Sequence, residues 1–226
     1  MKRSEINQYL RKAKDFFSTH CLALPAWAEW SLPEWRRRQA DCQEIIDGML
    51  GWDITDFGSG DFGQRGLLLF TLRNGTADNQ KPYAEKEMIV EEMQETPCHF
   101  HWSKMEDIIN RGGGNLMIEL FNADSQEGLD RKRAVTVSID GIIHQVSPGE
   151  PVRLTPGESI CLVPGLYHRF FGEAGRGPVL VGEVSAVNDD RTDNRFLDQT
   201  GRFPAIVEDE EPLHLLASDY GSFLQS

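Results

Sequence analysis

The chain has 226 residues, 39% of them hydrophobic, and a formal net charge of −13. That size and apolar content suit a folded globular core, not a disordered chain, and the negative charge argues against non-specific nucleic-acid binding, which depends on neutralising phosphates. No run of about 18 apolar residues is present to cross a membrane, and the charged start MKRSEINQYLRKAKDFF lacks the apolar centre of a secretory signal, so a cytoplasmic location is expected.

The first fifty residues (1–50) read as a helical extension. Ile6, Leu10, Ala13 and Phe17 repeat at the 3.6-residue period of one helix face. A second helix begins at Ser31-Leu32-Pro33-Glu34-Trp35, with Pro33 in the first turn, where its missing N–H costs nothing. Ala40, Cys42, Ile45, Ile46 and Met49 continue its apolar side, and Gly51 stops it. The four cysteines, Cys21, Cys42, Cys98 and Cys161, form no CxxC pair and read as reduced thiols.

From about residue 64 the pattern changes to short β-rich segments: GLLLFTLRN, KEMIVEEMQ, NLMIELFNA, AVTVSID, IIHQV, SICLVPG and VLVGEVS. Many short strands separated by Gly-containing turns indicate an all-β sandwich or barrel, not alternating βαβ units. Asp140-Gly141 is a strong hairpin signal. The parse is one domain over 1–226: a β-barrel over 64–187, with a C-terminal arm over 188–226.

The stretch HFHWSKMED, His99 to Asp107, carries the clearest chemistry. On a strand, alternate side chains share a face, so His99 and His101 point one way and Phe100 and Trp102 the other. Lys104 and Glu106 share a parity with each other, and a turn must intervene before they rejoin the histidines. His168 follows a Pro164-Gly165 turn. Three imidazoles and one carboxylate make a mixed N/O set suited to a divalent transition metal.

These residues resemble the two cupin motifs. His99-x-His101-x4-Glu106-x6-Gly113 is similar to the first. Gly157-x6-Pro164-Gly165-x2-His168 is similar to the second, with a longer first spacing and Pro-Gly where Pro-x-Gly is usual. The likeness implies a mainly β fold, a cupin-like antiparallel barrel (jelly roll), with His99, His101, Glu106 and His168 as metal ligands. A longer likeness, HFHWSKMEDIINRGGGNLMIELFNA together with GEVSAVNDDRTDNRF, resembles the D-lyxose isomerase family of cupin sugar isomerases. It implies interconversion of D-lyxose with D-xylulose and of D-mannose with D-fructose. It also implies Mn2+ as metal, with Zn, Fe, Co and Ni as alternatives, and a homodimer.

Such chemistry moves a proton between C1 and C2, which needs a base near the carbon-bound hydrogen and an acid near the oxygens. A metal gripping the substrate oxygens would stabilise the enediolate. Lys104, two residues before Glu106, is a candidate to neutralise charge developing on oxygen. Glu183, sharing a strand face with Val179, Val181 and Ser185, is the favoured base; a carboxylate among apolar residues is costly unless it serves a site. Glu119, in NLMIELF, is the competing base or a substrate-binding group, because its face depends on strand register. The polar run 188–195 could close the barrel mouth, with Asp190 and Asp193 on sugar hydroxyls and Arg195 in the catalytic set. Phe100, Trp102, Phe170 and Phe171 read as packing residues, and the glycines 112–114 as a turn near the metal ligands. Two other functions fit the same cage: a cupin dioxygenase, and a non-catalytic sugar-binding cupin.

Overall fold

The computed structural model describes residues 1–76, 79–187, 192–201 and 204–224. Helix α1 (Arg3–Thr19) forms on the expected stripe, and Ile6, Leu10, Ala13 and Phe17 are all buried. Burying Ile6, Leu10 and Phe17 contributes about 1.5–3 kcal/mol each. The second helix is broken into α2 (Leu32–Arg38) and α3 (Gln43–Asp47). Between them, the turn Gln39–Asp41 buries no side chain, so no packing sustains a continuous helix there. Trp35 and Cys42 instead pack on Leu215, Ala217, Tyr220 and Leu224 from the far end of the chain.

Fourteen strands follow among the described residues: β1 (Gly51–Thr55), β2 (Leu67–Arg73), β3 (Tyr83–Val90), β4 (His99–His101), β5 (Glu106–Gly113), β6 (Leu116–Ala123), β7 (Leu129–Asp130), β8 (Val135–Ile139), β9 (Ile142–Val146), β10 (Val152–Leu154), β11 (Ser159–Leu162), β12 (Leu166–Gly172), β13 (Val179–Ala186) and β14 (Asn194–Phe196). The larger sheet has the order β1-β2-β3-β13-β5-β11-β8-β9, and the smaller β10-β6-β12-β4-β14 with β7 beside β6. The pairings between these strands are antiparallel. The expected mainly β, antiparallel fold with a helical N-terminal extension is therefore present. Asp140 and Gly141, both at positive φ, form the two-residue turn between β8 and β9.

Two boundaries differ from the sequence reading. β1 joins the larger sheet well before residue 64, and β14 extends the smaller sheet beyond 188. β1 escaped notice because all five of its residues are buried, which removes the alternation that marks a half-exposed strand.

Inward residues of both sheets form one apolar core, including Leu67, Leu69, Met88, Val90 and Val181 from the larger and Leu116, Ile118, Leu120 and Phe170 from the smaller. α1 covers the outer face of the larger sheet at β1–β3, where Phe17 and Leu10 meet Trp52, Ile54, Leu68 and Phe70. The chain ends are tied together: the fully buried Arg3 guanidinium donates to both carboxylate oxygens of Asp219 (2.9 and 2.8 Å) and of Glu208 (2.8 and 2.7 Å).

Candidate metal centre and active site

β4 is only three residues long, and its pleat does what the parity predicts. Phe100 packs outward on Phe121 and Tyr167, while His99 and His101 face the interior. His168 on β12 pairs directly with His99 across the smaller sheet. The turn before it is held by Gly165, whose N–H donates to the His101 carbonyl at 2.9 Å. Its φ of +76° is a conformation that favours glycine.

The ring nitrogens of His99, His101 and His168 that could ligate lie within 4.8 Å of one another. The Nδ1–H of His99 donates to the Pro97 carbonyl at 2.8 Å, and that of His168 to the Leu166 carbonyl at 3.0 Å. These bonds fix the tautomer and leave each Nε2 lone pair facing the cavity. Burial, reinforced by the neighbouring imidazoles, pushes His99 well below the ordinary histidine range, and burial lowers His101 as well. Neutral imidazoles are the form that binds metal.

Glu106 comes from the other sheet. Its Oε1 lies 3.3 Å from His101 Nε2 and 3.2 Å from His168 Nε2. Burial alone would raise the Glu106 carboxyl, but the Lys104 ammonium, followed by His101 and His168, holds it well below the usual range. Both ring nitrogens of buried His101 lack a hydrogen-bond partner among the described residues. Orphaned imidazole nitrogens facing an ionised carboxylate are what a divalent cation satisfies, so this donor set fits a metal.

The turn 102–105 carries the chain from β4 to β5, and so from one sheet to the other. The Asp193 carboxylate accepts the backbone N–H groups of Ser103 (2.8 Å) and Lys104 (3.0 Å), which pins this turn. Buried Lys104 then reaches both acids of the larger sheet: its Nζ is 2.6 Å from Glu106 Oε2 and 3.0 Å from Glu183 Oε1. Burial would raise Glu183, but Lys104 and then Lys86 outweigh it and hold the carboxyl below the ordinary value. The rest of the cavity wall is mostly apolar, with Phe57, Leu67, Leu69, Met88, Ile108 and Phe196, joined by Lys86, Thr96 and Asn194.

His99, His101, Glu106, His168, Lys104 and Glu183 thus line one cavity. Other candidates lie elsewhere. The register of β6 alternates Ile118 and Leu120 inward, so Glu119 points to the outer face and pairs with Arg169 at 2.7 and 3.0 Å. It is not part of the cavity. Arg195, between the cavity-lining Asn194 and Phe196 on β14, also turns outward, with its Nε 3.3 Å from Glu127. Asp193 supports the Lys104 turn without lining the cavity. Asp190 lies outside the described residues.

The glycines 112 and 113 end β5 away from Glu106, against His20, Phe16 and Pro178, and do not neighbour the ligands. Phe170 packs in the core and also lines the cavity. Sequence reasoning overlooked Lys86. The signal was present: in Lys86-x-Met88-x-Val90 a lysine shares the parity of two core residues.

A family profile described as D-lyxose isomerase matches residues 1–220. The D-lyxose/D-mannose isomerase of Serratia proteamaculans is 51% identical, covering 99% of this chain and 100% of that protein. The enzyme of the same name from Escherichia coli O157:H7 is 52% identical over the same shares. Among solved structures, the fold is similar to the L-ribose isomerase of Cellulomonas parahominis with L-ribose (TM-score 0.59, 17% identity, 92% of this chain and 98% of that one). It is also similar to the L-ribose isomerase of Acinetobacter sp. DL28 in complex with L-ribose (TM-score 0.61, 15% identity, the same coverage). With the profile spanning nearly its whole length and relatives at half identity, the chain belongs to the D-lyxose isomerase family.

Proposed function

We propose that the protein is a metal-dependent aldose–ketose isomerase that interconverts D-lyxose and D-xylulose, and D-mannose and D-fructose. The observation that carries this reading is a buried carboxylate, Glu183, kept ionised by lysines in the same cavity as a cage of three imidazoles and Glu106. His99, His101, His168 and Glu106 would hold the metal, and the N/O donor set suits Mn2+. When bound, a divalent cation supplies Lewis-acid polarisation at the substrate oxygens.

The protein's own groups supply the proton transfers. Glu183, as a carboxylate, accepts the C2 hydrogen of the aldose as a proton and then returns it to C1. The O2 hydroxyl proton must leave as O1 gains one. Lys104, buried between the two acids, offers an ammonium to the oxygen on which negative charge grows. The apolar part of the wall, Phe57, Leu67, Leu69, Met88, Ile108 and Phe196, limits water around the reacting carbons.

The same reading includes a homodimer in the cytoplasm. Free Cys21, Cys42, Cys98 and Cys161 suit a reducing compartment. Ile142 and Ile143, 63% and 67% exposed on edge strand β9, offer apolar surface to a second subunit. No helix among the described residues is long and apolar enough to cross a membrane.

The test is incubation of purified protein with MnCl2 and D-lyxose or D-mannose in D2O. Ketose is expected, with solvent deuterium at C1 in those turnovers in which the proton on Glu183 exchanges before its return. Absence of ketose from both sugars with Mn, Co, Ni, Zn and Fe would reject the isomerase reading. Oxygen uptake would favour a dioxygenase, and sugar-dependent thermal protection without turnover a binding protein.

A further inference from the structure

We infer that Lys86 and Ser185 are positioning residues that grip Glu183 by one oxygen and so dedicate its other oxygen to the substrate carbon; this rests on the isomerase reading above. Lys86 and Glu183 face each other directly across the β3–β13 pairing. Lys86 Nζ lies 3.3 Å from Glu183 Oε1, and Ser185, two residues along the same strand face, donates its Oγ–H to that same oxygen at 3.0 Å. Lys104 Nζ meets it as well, at 3.0 Å. Three donors from β3, β13 and the β4–β5 turn therefore converge on Oε1.

A glutamate's terminal torsion is broad and roughly two-fold, so one contact does not select a carboxylate orientation. Convergence of three does. Lys104 cannot provide this alone, because it divides its charge between Glu183 and Glu106. Lys86 makes one ion pair among the described residues, to Glu183, and its side chain is only 8% exposed. Its companions on the inner face of β3, Met88 and Val90, are core residues. Lysine is almost never fully buried unless paired, so this ammonium's place in an apolar wall is explained by the carboxylate opposite it. The division of labour follows: Lys86 and Ser185 hold the base, while Lys104 joins it to the side that handles oxygen.

The test uses full-length, Mn2+-loaded protein with D-lyxose, together with crystal structures of the variants. Lys86→Met is expected to lower kcat about 10- to 100-fold, the scale of a misplaced catalytic group. KM and metal per chain should stay as in the wild type, and Lys86→Arg should recover most of the loss. Ser185→Ala should lower kcat about 3-fold, the scale of one hydrogen bond. In crystals of Lys86→Met, the Glu183 carboxylate should rotate or occupy more than one orientation. Wild-type kcat in Lys86→Met, a loss confined to KM or metal content, or an unmoved Glu183 carboxylate would overturn the inference. If Lys86→Met does not fold, unchanged kcat in Ser185→Ala overturns it. Wild-type protein inactive on every sugar would reject the isomerase reading instead, while the crystal comparison still decides the positioning.

Discussion

Two buried carboxylates sit on neighbouring strands of the larger sheet, one on each face. Glu183 on β13 looks into the sandwich, opposite Lys86; Glu87 on β3 looks outward, opposite Gly182. Both are about 5% exposed or less. Glu183 has two ammonium groups within 3.3 Å and stays below the ordinary glutamate value. Among the described residues, Glu87 has one cation near it, the Arg111 guanidinium at 3.8 Å, one oxygen with no hydrogen-bond partner, and a carboxyl pushed by burial up to about 7. The contrast separates burial from function. Removal from water alone leaves Glu87 holding its proton up to about pH 7, whereas the added cations keep Glu183 a carboxylate.

The sharpest way to break this contrast is to remove the cage beside the inner acid. His101→Ala is expected to abolish metal binding and turnover together while the fold survives, measured by metal analysis, isomerase assay and circular dichroism. Glu183→Gln should keep the metal and lose about 10²- to 10⁴-fold in kcat, the range of general acid–base catalysis; full retained activity would end its role as base. Lys104→Met should reduce kcat by less than Glu183→Gln and leave most of the metal bound. Loss of metal would make Lys104 a structural partner of Glu106 instead.

On the outer face the expected effects concern stability. Glu87 holds its proton in the fold up to about pH 7, whereas an unfolded glutamate releases it near 4.5. The folded state therefore loses stability as pH rises between those values, by about 3 kcal/mol at the upper end. Glu87→Gln should raise Tm at pH 8 by several degrees, with little gain at pH 4.5, as calorimetry at the two pH values would show. Smallest of all, Glu119→Gln should leave kcat and metal content unchanged, since Glu119 pairs with Arg169 on the outer face of the smaller sheet.

What the sequence revealed follows from where local rules suffice. The pleat alone puts His99 and His101 on one face, and Asp140-Gly141 and the α1 stripe are equally local signals. The outward placement of Glu119 and Arg195 was not legible because alternation tells which residues share a face, not which face meets the core; that depends on the pairing of β6 with β12 and of β14 with β4. Lys86 was passed over because a lysine between glutamates reads as solvated surface. Its burial is explained only by Glu183, which lies almost a hundred residues later in the chain. The larger sheet supplies Glu106, Glu183 and Lys86, the smaller the three imidazoles, and the turn between them Lys104, a split that no linear motif displays.

The Arg3 clamp carries a consequence for biosynthesis. The guanidinium is fully enclosed, and the groups that balance it, Glu208 and Asp219, are made 205 and 216 residues after it. An unbalanced enclosed charge is strongly unfavourable. The first turn of α1 therefore waits, undocked, until Glu208 and Asp219 have been made. α1 is thus late to settle although it is made before the strands it covers, and a nascent chain stalled before residue 208 would display its apolar stripe to chaperones.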